Sequence, residues 1–308
     1  DTLLLLGTDF PYRQFYPEQA KVAQIDIRAE SLGNRCRLDI GVVGTVADTV
    51  AALLPRLKPK TDRTFLDAAL AHYAKARADL DKLAESKPGG KIIHPQYVAH
   101  LISELADDDA VFTCDVGTQS VWAARYLKMN GKRRLIGSFN HASMANAMPQ
   151  AIGAQASHKG RQVISMSGDG GFAMMMGDFI SLAQLGLPVK VVVLNNGTLG
   201  FVEMEMKAAG FVDTAVTLKN PDFAAMAAAM GIKGIRVEDP ANLEGALRDA
   251  FAHKGPALVD VVSARQELAM PPKATLEQAY GFSLFLMRAV MDGRATQIID
   301  LARTNLRI

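Results

Sequence analysis

Two polar motifs punctuate otherwise apolar runs in this 308-residue chain, and both carry oxygen donors. Gly168-Asp169-Gly170-Gly171 follows the run 163–166, and Asn195-Asn196 follows the run 189–194. A hard cation such as Mg²⁺ needs oxygen ligands in near-octahedral array, usually one or two from side chains and the rest from phosphate and water. The Asp169 carboxylate and the Asn196 amide oxygen suit that role. Glycines beside the carboxylate let backbone amides approach an anion closely. Either motif alone is compatible with a simple turn. The pair, separated by room for one crossover helix at 176–185, reads as a magnesium diphosphate site.

The runs that carry these motifs are short, largely apolar and rich in β-branched residues, as in strands buried on both faces of a parallel sheet. In open α/β sheets the ligand crevice lies beyond the carboxyl ends of such strands, so Asp169 and Asn196 are expected to project into one crevice. The surrounding pattern extends the sheet. Pro95 suits the first turn of a helix. A strand closes at Cys114, before Asp115-Val116-Gly117, and helices at 222–230 and 243–252 alternate with strands at 234–237 and Ala257–Val262. The expected class is α/β, with a doubly wound parallel sheet.

Upstream, a buried strand at Thr2–Leu6, a loop at 7–17, strands at 21–27 and 40–43 and a helix at 46–57 read as part of another α/β domain. A charged helical stretch at 63–83 leads to Glu85-Ser86-Lys87-Pro88-Gly89-Gly90, which reads as a linker. After Pro271-Pro272, large apolar residues including Tyr280, Phe282, Leu284, Phe285, Leu286 and Met287 precede an amphipathic stretch at 294–307. There Lys273, Arg288, Arg294, Arg303 and Arg307 outnumber Glu277, Asp292 and Asp300. A basic amphipathic tail of this kind can lie in a membrane interface or pack on its own domain. The expected domains are therefore 1–68, 69–266 and 267–308. Because the chain opens in mid-sheet, it is read as lacking the strands that precede residue 1.

Composition narrows the partners. A net charge of +2, with 21% charged and 49% hydrophobic residues, gives a globular protein no electrostatic case for nucleic acid. Cys36 and Cys114, with no metal-ligand spacing, suit a reducing cytoplasm, and neither is a strong nucleophile candidate. No apolar stretch reaches the ~20 residues of a spanning helix.

At Gly168-Asp169-Gly170 and Asn195-Asn196 the chain resembles the thiamine diphosphate enzymes. Phe139-Asn140-His141-Ala142-Ser143-Met144-Ala145-Asn146-Ala147-Met148-Pro149 and Gly7-Thr8-Asp9-Phe10-Pro11-Tyr12-Arg13 extend the likeness to the flavin-containing pyruvate oxidase branch, and nearest to its membrane-associated, quinone-reducing members. The resemblance implies Asp169, Asn196 and the Thr198 carbonyl as Mg²⁺ ligands. Gly170, Gly171, Gly197, Leu199 and Gly200 would line the thiamine diphosphate site, with Ala142 and Ser143 around the pyrimidine and Met144 propping the bent cofactor. Met144 read by itself is equally a core residue, and His141 a loop histidine. Phe201 matches an aromatic beside the thiazolium, and Glu205 is a candidate for the substrate pocket.

The same resemblance places FAD against Thr8, Asp9, Phe10, Pro11, Tyr12 and Asp26, an acidic residue at a strand end being suited to a ribose. A capping or surface aspartate is the alternative for Asp26, and a surface role the alternative for Arg13. The implied reaction is oxidative decarboxylation of pyruvate to acetate and CO₂, with electrons passing through FAD to ubiquinone. A homotetramer in the cytoplasm, peripheral on the inner face of the cell membrane through a tail on anionic phospholipid, is expected with it. An amino-terminal pyrimidine-binding domain and its activating glutamate fall outside this chain, so the chain alone is expected to be inactive. Three rivals remain: an acetolactate synthase-like carboligase, which would form acetolactate without reducing quinone; a noncatalytic cofactor-binding module; and a flavin-free decarboxylase, which the Gly7 to Arg13 match disfavours.

Overall fold

The computed structural model describes residues 1–86, 89–269 and 274–306. The linker positions Lys87 and Pro88, the Pro271-Pro272 boundary, and the tail residues Lys273 and Arg307 lie outside the described residues. The chain divides into two compact units, Asp1–Ala74 and Lys75–Ile308.

In the first unit, β1 (Thr2–Leu6), β2 (Lys21–Asp26) and β3 (Ile40–Val43) form a parallel sheet in that order. The expectation that β1 is buried is corrected. Side chains alternate across a strand, and only Leu5 of β1 is buried, while Leu4 and Leu6 are exposed. Helix α1 (Val46–Leu53) starts where the Thr45 hydroxyl accepts from the Asp48 amide. It stops short of the expected 57. Pro55 has no amide and its ring clashes with the carbonyl four residues back, so the chain tightens into a 3-10 turn at Leu54–Arg56. Helix α2 (Thr64–Leu83) follows.

The second unit is built on six parallel strands. In chain order the elements are α3 (Pro95–Leu105), β4 (Val111–Cys114), α4 (Thr118–Tyr126), β5 (Arg134–Gly137), α5 (Ala147–Ser157), β6 (Val163–Gly168), α6 (Asp169–Met174), α7 (Ile180–Gln184), β7 (Lys190–Asn195), α8 (Gly200–Ala208), α9 (Phe223–Ala229), β8 (Lys233–Val237), α10 (Pro240–Ala252), β9 (Ala257–Val262), α11 (Leu276–Met291) and α12 (Ala295–Leu306). The sheet order is β5-β4-β6-β7-β9-β8, parallel throughout. This is the doubly wound α/β arrangement expected from the sequence. Val192 and Leu194 of β7 enter one core with Ile164, Met166 and Trp122, whereas Val191 and Val193 enter the other with Val163, Phe172 and Phe223.

The topology locates the crevice. From β4 the chain moves out to β5, returns past β4 to β6, and continues to β7 on the other side. The connections leaving β4 and β6 therefore run in opposite directions, which opens a gap at their carboxyl ends. The single crossover helix expected at 176–185 is instead three pieces. Helix α6 begins at Asp169 itself, a 3-10 turn spans Met176–Phe179, and α7 follows. Gly177, a poor helix former, lies at the break. Gly186, at φ +61°, ends α7 with its amide on the Ala183 carbonyl and the Leu187 amide on that of Leu182, the paired closure favoured by a left-handed glycine.

The tail helices pack on their own unit. Thr275 and Gln278 form a capping box at the start of α11, and Phe285, Ala289 and Leu301 are buried in a small core of their own. A Cβ on Gly281 would come within 2.0 Å of the Ala208 carbonyl oxygen, so glycine is what lets α11 lie against the end of α8. Among the described residues no helix is long and apolar enough to cross a membrane.

Helix α6 is held from beneath by aromatic contacts. Phe172 meets Phe179 and Phe223 edge-on, at centroid distances of 5.4 and 5.3 Å, and all three are buried. Phe172→Ala is expected to cost about 3–5 kcal/mol of unfolding free energy, read from denaturant midpoints. A loss below about 1 kcal/mol, the range of a tolerated core swap, would show that α6 does not depend on this cluster.

Candidate functional site

A cleft of about 230 Å³ opens at the switch between β4 and β6. Its walls come from four segments: 115–119 after β4, Ala142 with Met144, 168–171 after β6, and 198–202 leading into α8. Each segment is there because a strand has just ended.

The β4 segment contributes Asp115, which is 1% exposed. Its Oδ1 accepts from the Ala147 amide at 2.9 Å and its Oδ2 from the Gly168 amide at 3.2 Å. A Cβ on Gly171 would lie 2.3 Å from that Oδ2, so the second glycine after Asp169 is required by the neighbouring carboxylate. Burial pushes the Asp115 carboxyl up to about 6, against the pull of its backbone amide donors. Next to it, burial pushes the Cys114 thiol up to about 12, which removes it as a nucleophile. Gly117 turns the chain at φ +151° and ψ −159°, a region open essentially to glycine.

Asp169 is the first residue of α6 and 2% exposed. Its Oδ1 accepts from the Gly170 amide at 2.9 Å, and its Oδ2 accepts from the Gly197 amide and Asn220 Nδ2, both at 2.7 Å. Burial raises its pKa while those three donors oppose the rise. Among the described residues no cationic side chain forms an ion pair with it. A desolvated carboxylate without a counter-charge is costly in isolation, and a bound cation would remove that cost.

The two asparagines after β7 divide the work. Asn195 turns inward, donating to Asp260 Oδ1 at 3.0 Å and accepting from Asn220 at 2.9 Å. Asn196 accepts from the Thr198 amide at 3.1 Å and closes a tight turn through Gly197, at φ +69°. That turn is stitched to the segment 216–218 by Leu199 N–H to the Val216 carbonyl and Leu218 N–H to the Gly197 carbonyl, both at 2.9 Å. The oxygen set that could face a cation is thus the Asp169 carboxylate, the Asn196 amide and the backbone of Thr198. Among the described residues no cluster of three or more His, Cys, Asp or Glu could hold a metal.

Met144 reaches across the cleft, its Cε 3.2 Å from where a Gly170 Cβ would stand. Ala142 and Ala145 flank it at φ +52° and +68°, a left-handed conformation that costs an alanine about 1–3 kcal/mol and clusters at ligand sites. Ser143 donates to the Met144 carbonyl and, like His141, is exposed.

Of the residues singled out from sequence, Ala142, Met144, Asp169, Gly170, Gly171, Thr198, Leu199, Gly200 and Phe201 line this cleft. Asn196 and Gly197 form the turn beside it. Glu205 is exposed on α8 and does not line it. Thr8, Asp9, Phe10, Pro11, Tyr12 and Asp26 belong to the first unit. There Arg35 binds both oxygens of Asp9 at 2.7 and 2.9 Å, Asp26 accepts from the Arg28 amide, and Arg13 donates to the Asn34 carbonyl. Sequence reasoning passed over Asp115, Gln119 and Asn220. Asp115 carried a usable signal, because an apolar run ending in Asp-x-Gly is punctuated like the run ending in Gly168-Asp169-Gly170.

Residues 115–261 match the family described as "Thiamine pyrophosphate enzyme, C-terminal TPP binding domain". The chain is 35% identical over 308 residues to "Putative thiamine pyrophosphate-containing protein YdaP" of Bacillus subtilis (strain 168), covering 100% of this chain and 53% of that one. It is 32% identical over 283 residues to the acetolactate synthase large subunit of Porphyra purpurea, covering 88% and 47%. It is 30% identical over 268 residues to the pyruvate oxidase of Lactiplantibacillus plantarum (strain ATCC BAA-793 / NCIMB 8826 / WCFS1), covering 85% and 44%. The chain therefore spans about half the length of these curated relatives.

The raised Asp115 pKa has a defined sign in stability. Its carboxyl is easier to ionise in the unfolded chain, at an ordinary 3.8, than in the fold, at about 6. Its favourable contribution is therefore complete below pH ~4 and lost as pH rises through about 6, a change on the order of 3 kcal/mol. Denaturant midpoints at pH 4 and pH 7 are expected to fall for wild type relative to Asp115→Asn. A pH-independent difference between the two proteins would refute it.

Proposed function

We propose that this chain, whose residues 115–261 match the thiamine pyrophosphate enzyme C-terminal TPP binding domain family, is the cofactor-holding part of an enzyme that removes CO₂ from pyruvate. The observation that carries this reading is the buried Asp169 carboxylate, with no ion-pair partner among the described residues, beside the turn of Asn196 and Thr198 at the mouth of a glycine-walled cleft. Hard oxygen donors around an unneutralised anion suit Mg²⁺, and Mg²⁺ would in turn anchor a diphosphate. Asp169, Asn196 and the Thr198 carbonyl would hold the cation. Gly170, Gly171, Gly197, Leu199 and Gly200 would allow the diphosphate to come close. Ala142, Ser143 and Met144 would hold the pyrimidine end, with Phe201 beside the reactive ring and the exposed Glu205 toward substrate.

When bound, thiamine diphosphate would supply the electron sink for decarboxylation and FAD the acceptor for the electrons released. The finer reading is oxidative: pyruvate to acetate and CO₂, with FAD passing electrons to ubiquinone. In the first unit, the exposed rings of Phe10 and Tyr12 and the strand-end Asp26 are groups of the type that stack on an adenine and bind a ribose. On α11, Leu276, Tyr280, Met287, Val290 and Met291 are exposed while Phe285 and Ala289 are packed. That exposed apolar face would lie on an anionic phospholipid surface, where quinone is found. A homotetramer peripheral on the inner face of the cell membrane belongs to the same proposal. The similarity to acetolactate synthase large subunits favours a carboligase as the second reading, with the same magnesium site and a different fate for the two-carbon unit.

In the intact protein, Asp169→Ala is expected to abolish Mg²⁺-dependent binding of thiamine diphosphate, measured by calorimetry, and pyruvate turnover with it. Binding at wild-type affinity would remove the site assignment, and cofactor binding without any pyruvate turnover by the wild-type protein would leave only a noncatalytic cofactor-binding module. Products decide the branch. Acetate with reduction of a ubiquinone analogue, stimulated by anionic vesicles, supports the oxidative reading. Acetolactate without quinone reduction moves the protein to the carboligases.

A further inference from the structure

Behind the turn that would hold the cation lies a cluster of charged side chains, two of them buried. Glu203 on α8 is 2% exposed and Lys207, one helical turn on, 3%. Lys207 Nζ donates to Glu203 Oε1 and to Gln266 Oε1, each at 2.6 Å, and stands 5.4 Å from the centroid of the Phe285 ring of α11. Gln266 Nε2 donates to Glu203 Oε1 at 3.2 Å, and Arg265 Nη2 lies 3.5 Å from Oε2. The Glu203 oxygen turned toward the site receives a short bond from the Thr198 hydroxyl, at 2.6 Å.

A buried ion pair is seldom a net gain over apolar packing, because desolvating both charges offsets their attraction. The placement of this one therefore calls for another explanation. Its carboxylate grips the side chain of the one residue whose backbone carbonyl would complete the donor set of Asp169 and Asn196. Thr198 is 3% exposed, and its hydroxyl lies 3.2 Å from the Val216 carbonyl oxygen as well. Burial opposes the charge on Glu203, but the Lys207 ammonium, the hydrogen bonds from Lys207 and Thr198, and Arg265 outweigh it and hold the carboxyl below its usual range. An ionised acceptor bonds the hydroxyl more strongly than a neutral one.

We infer that Glu203, braced by Lys207, is a positioning residue that fixes the Thr198 turn for the cation, acting through the Thr198 hydroxyl. This inference rests on the magnesium diphosphate reading above. It separates two functions on α8: Phe201 faces the cleft, and Glu203, on the buried side, sets the turn that leads into it.

The test is calorimetric titration of Mg²⁺ into the intact protein at fixed thiamine diphosphate. Thr198→Val deletes the hydroxyl and leaves the Glu203–Lys207 pair in place, so it is expected to weaken Mg²⁺ binding about tenfold, the size of one lost hydrogen bond to a charged group. Thr198→Ser keeps the hydroxyl and is expected to restore wild-type affinity. Glu203→Gln is expected to match Thr198→Val, and if it does not fold, the two Thr198 variants still decide. With Mg²⁺ saturating, thiamine diphosphate affinity should return to within a few-fold of wild type, which separates cation positioning from damage to the whole site. Wild-type Mg²⁺ affinity in Thr198→Val, or loss in Thr198→Ser equal to that in Thr198→Val, overturns the inference alone. Absence of Mg²⁺-dependent binding in the wild-type protein overturns the cofactor reading and the inference together.

Discussion

One buried carboxylate, that of Asp115, ties together three of the four segments that wall the cleft. It stands at the end of β4, and its oxygens accept from Gly168 at the end of β6 and from Ala147 at the start of α5. Its Oδ2 leaves no room for a side chain on Gly171. The loop that presents Met144 and the turn that presents Asp169 are therefore placed by the same group. Parallel strands alone bring chain ends to one edge of a sheet. Local hydrogen bonds decide how those ends face each other once there, and Asp115 supplies them at the β4–β6 switch.

The arrangement carries several unfavourable elements at once. Asp169 is desolvated with no ion-pair partner among the described residues, burial pushes the Asp115 carboxyl up to about 6, and two alanines adopt left-handed backbone beside Met144. Elements of this kind persist only where the surroundings over-determine them. Here the surroundings are two continuous apolar cores on opposite faces of the sheet, with β4, β6 and β7 buried along their full length. The Phe172 cluster lies directly beneath α6. Stability is concentrated under the site, and local cost is concentrated within it.

This separation explains what could be read from sequence. Fully buried parallel strands write themselves as unbroken apolar runs, so β6, β7 and β9, and the oxygen donors at the ends of the first two, were legible. The helical punctuation was less so. Asp169 opens α6 directly and Gly177 splits the crossover, because the local hydrogen bonding of Asp169 and the packing of Phe172 outweigh any simple spacing rule. Asn220 and Glu203 could not be recognised in advance. Each is an ordinary polar residue whose role comes from a partner brought close by the fold, Asp169 for one and Thr198 for the other. The exposed β1 was misjudged for a related reason, since an apolar strand records the side chains available for burial and not the layers that cover them.

The adjacent pair Asn195 and Asn196 shows how direction is imposed on the site. An amide side chain donates at one end and accepts at the other. Arg236 binds Asp260 at 2.7 Å, and Asp260, wholly buried, accepts from Asn195 Nδ2. Asn195 is then left with its oxygen toward Asn220, so Asn220 must donate, and its same nitrogen also donates to Asp169. The chain of bonds begins at an ion pair under the sheet edge and ends by fixing Asp169 as an acceptor. The Gly170 and Gly197 amides and the Asn220 side-chain amide all meet the Asp169 carboxylate as donors. Its remaining lone pairs can be satisfied only by another donor or by a cation, and Asn196, just past the end of β7, carries a second oxygen on the Gly197 turn whose amide Asp169 already binds.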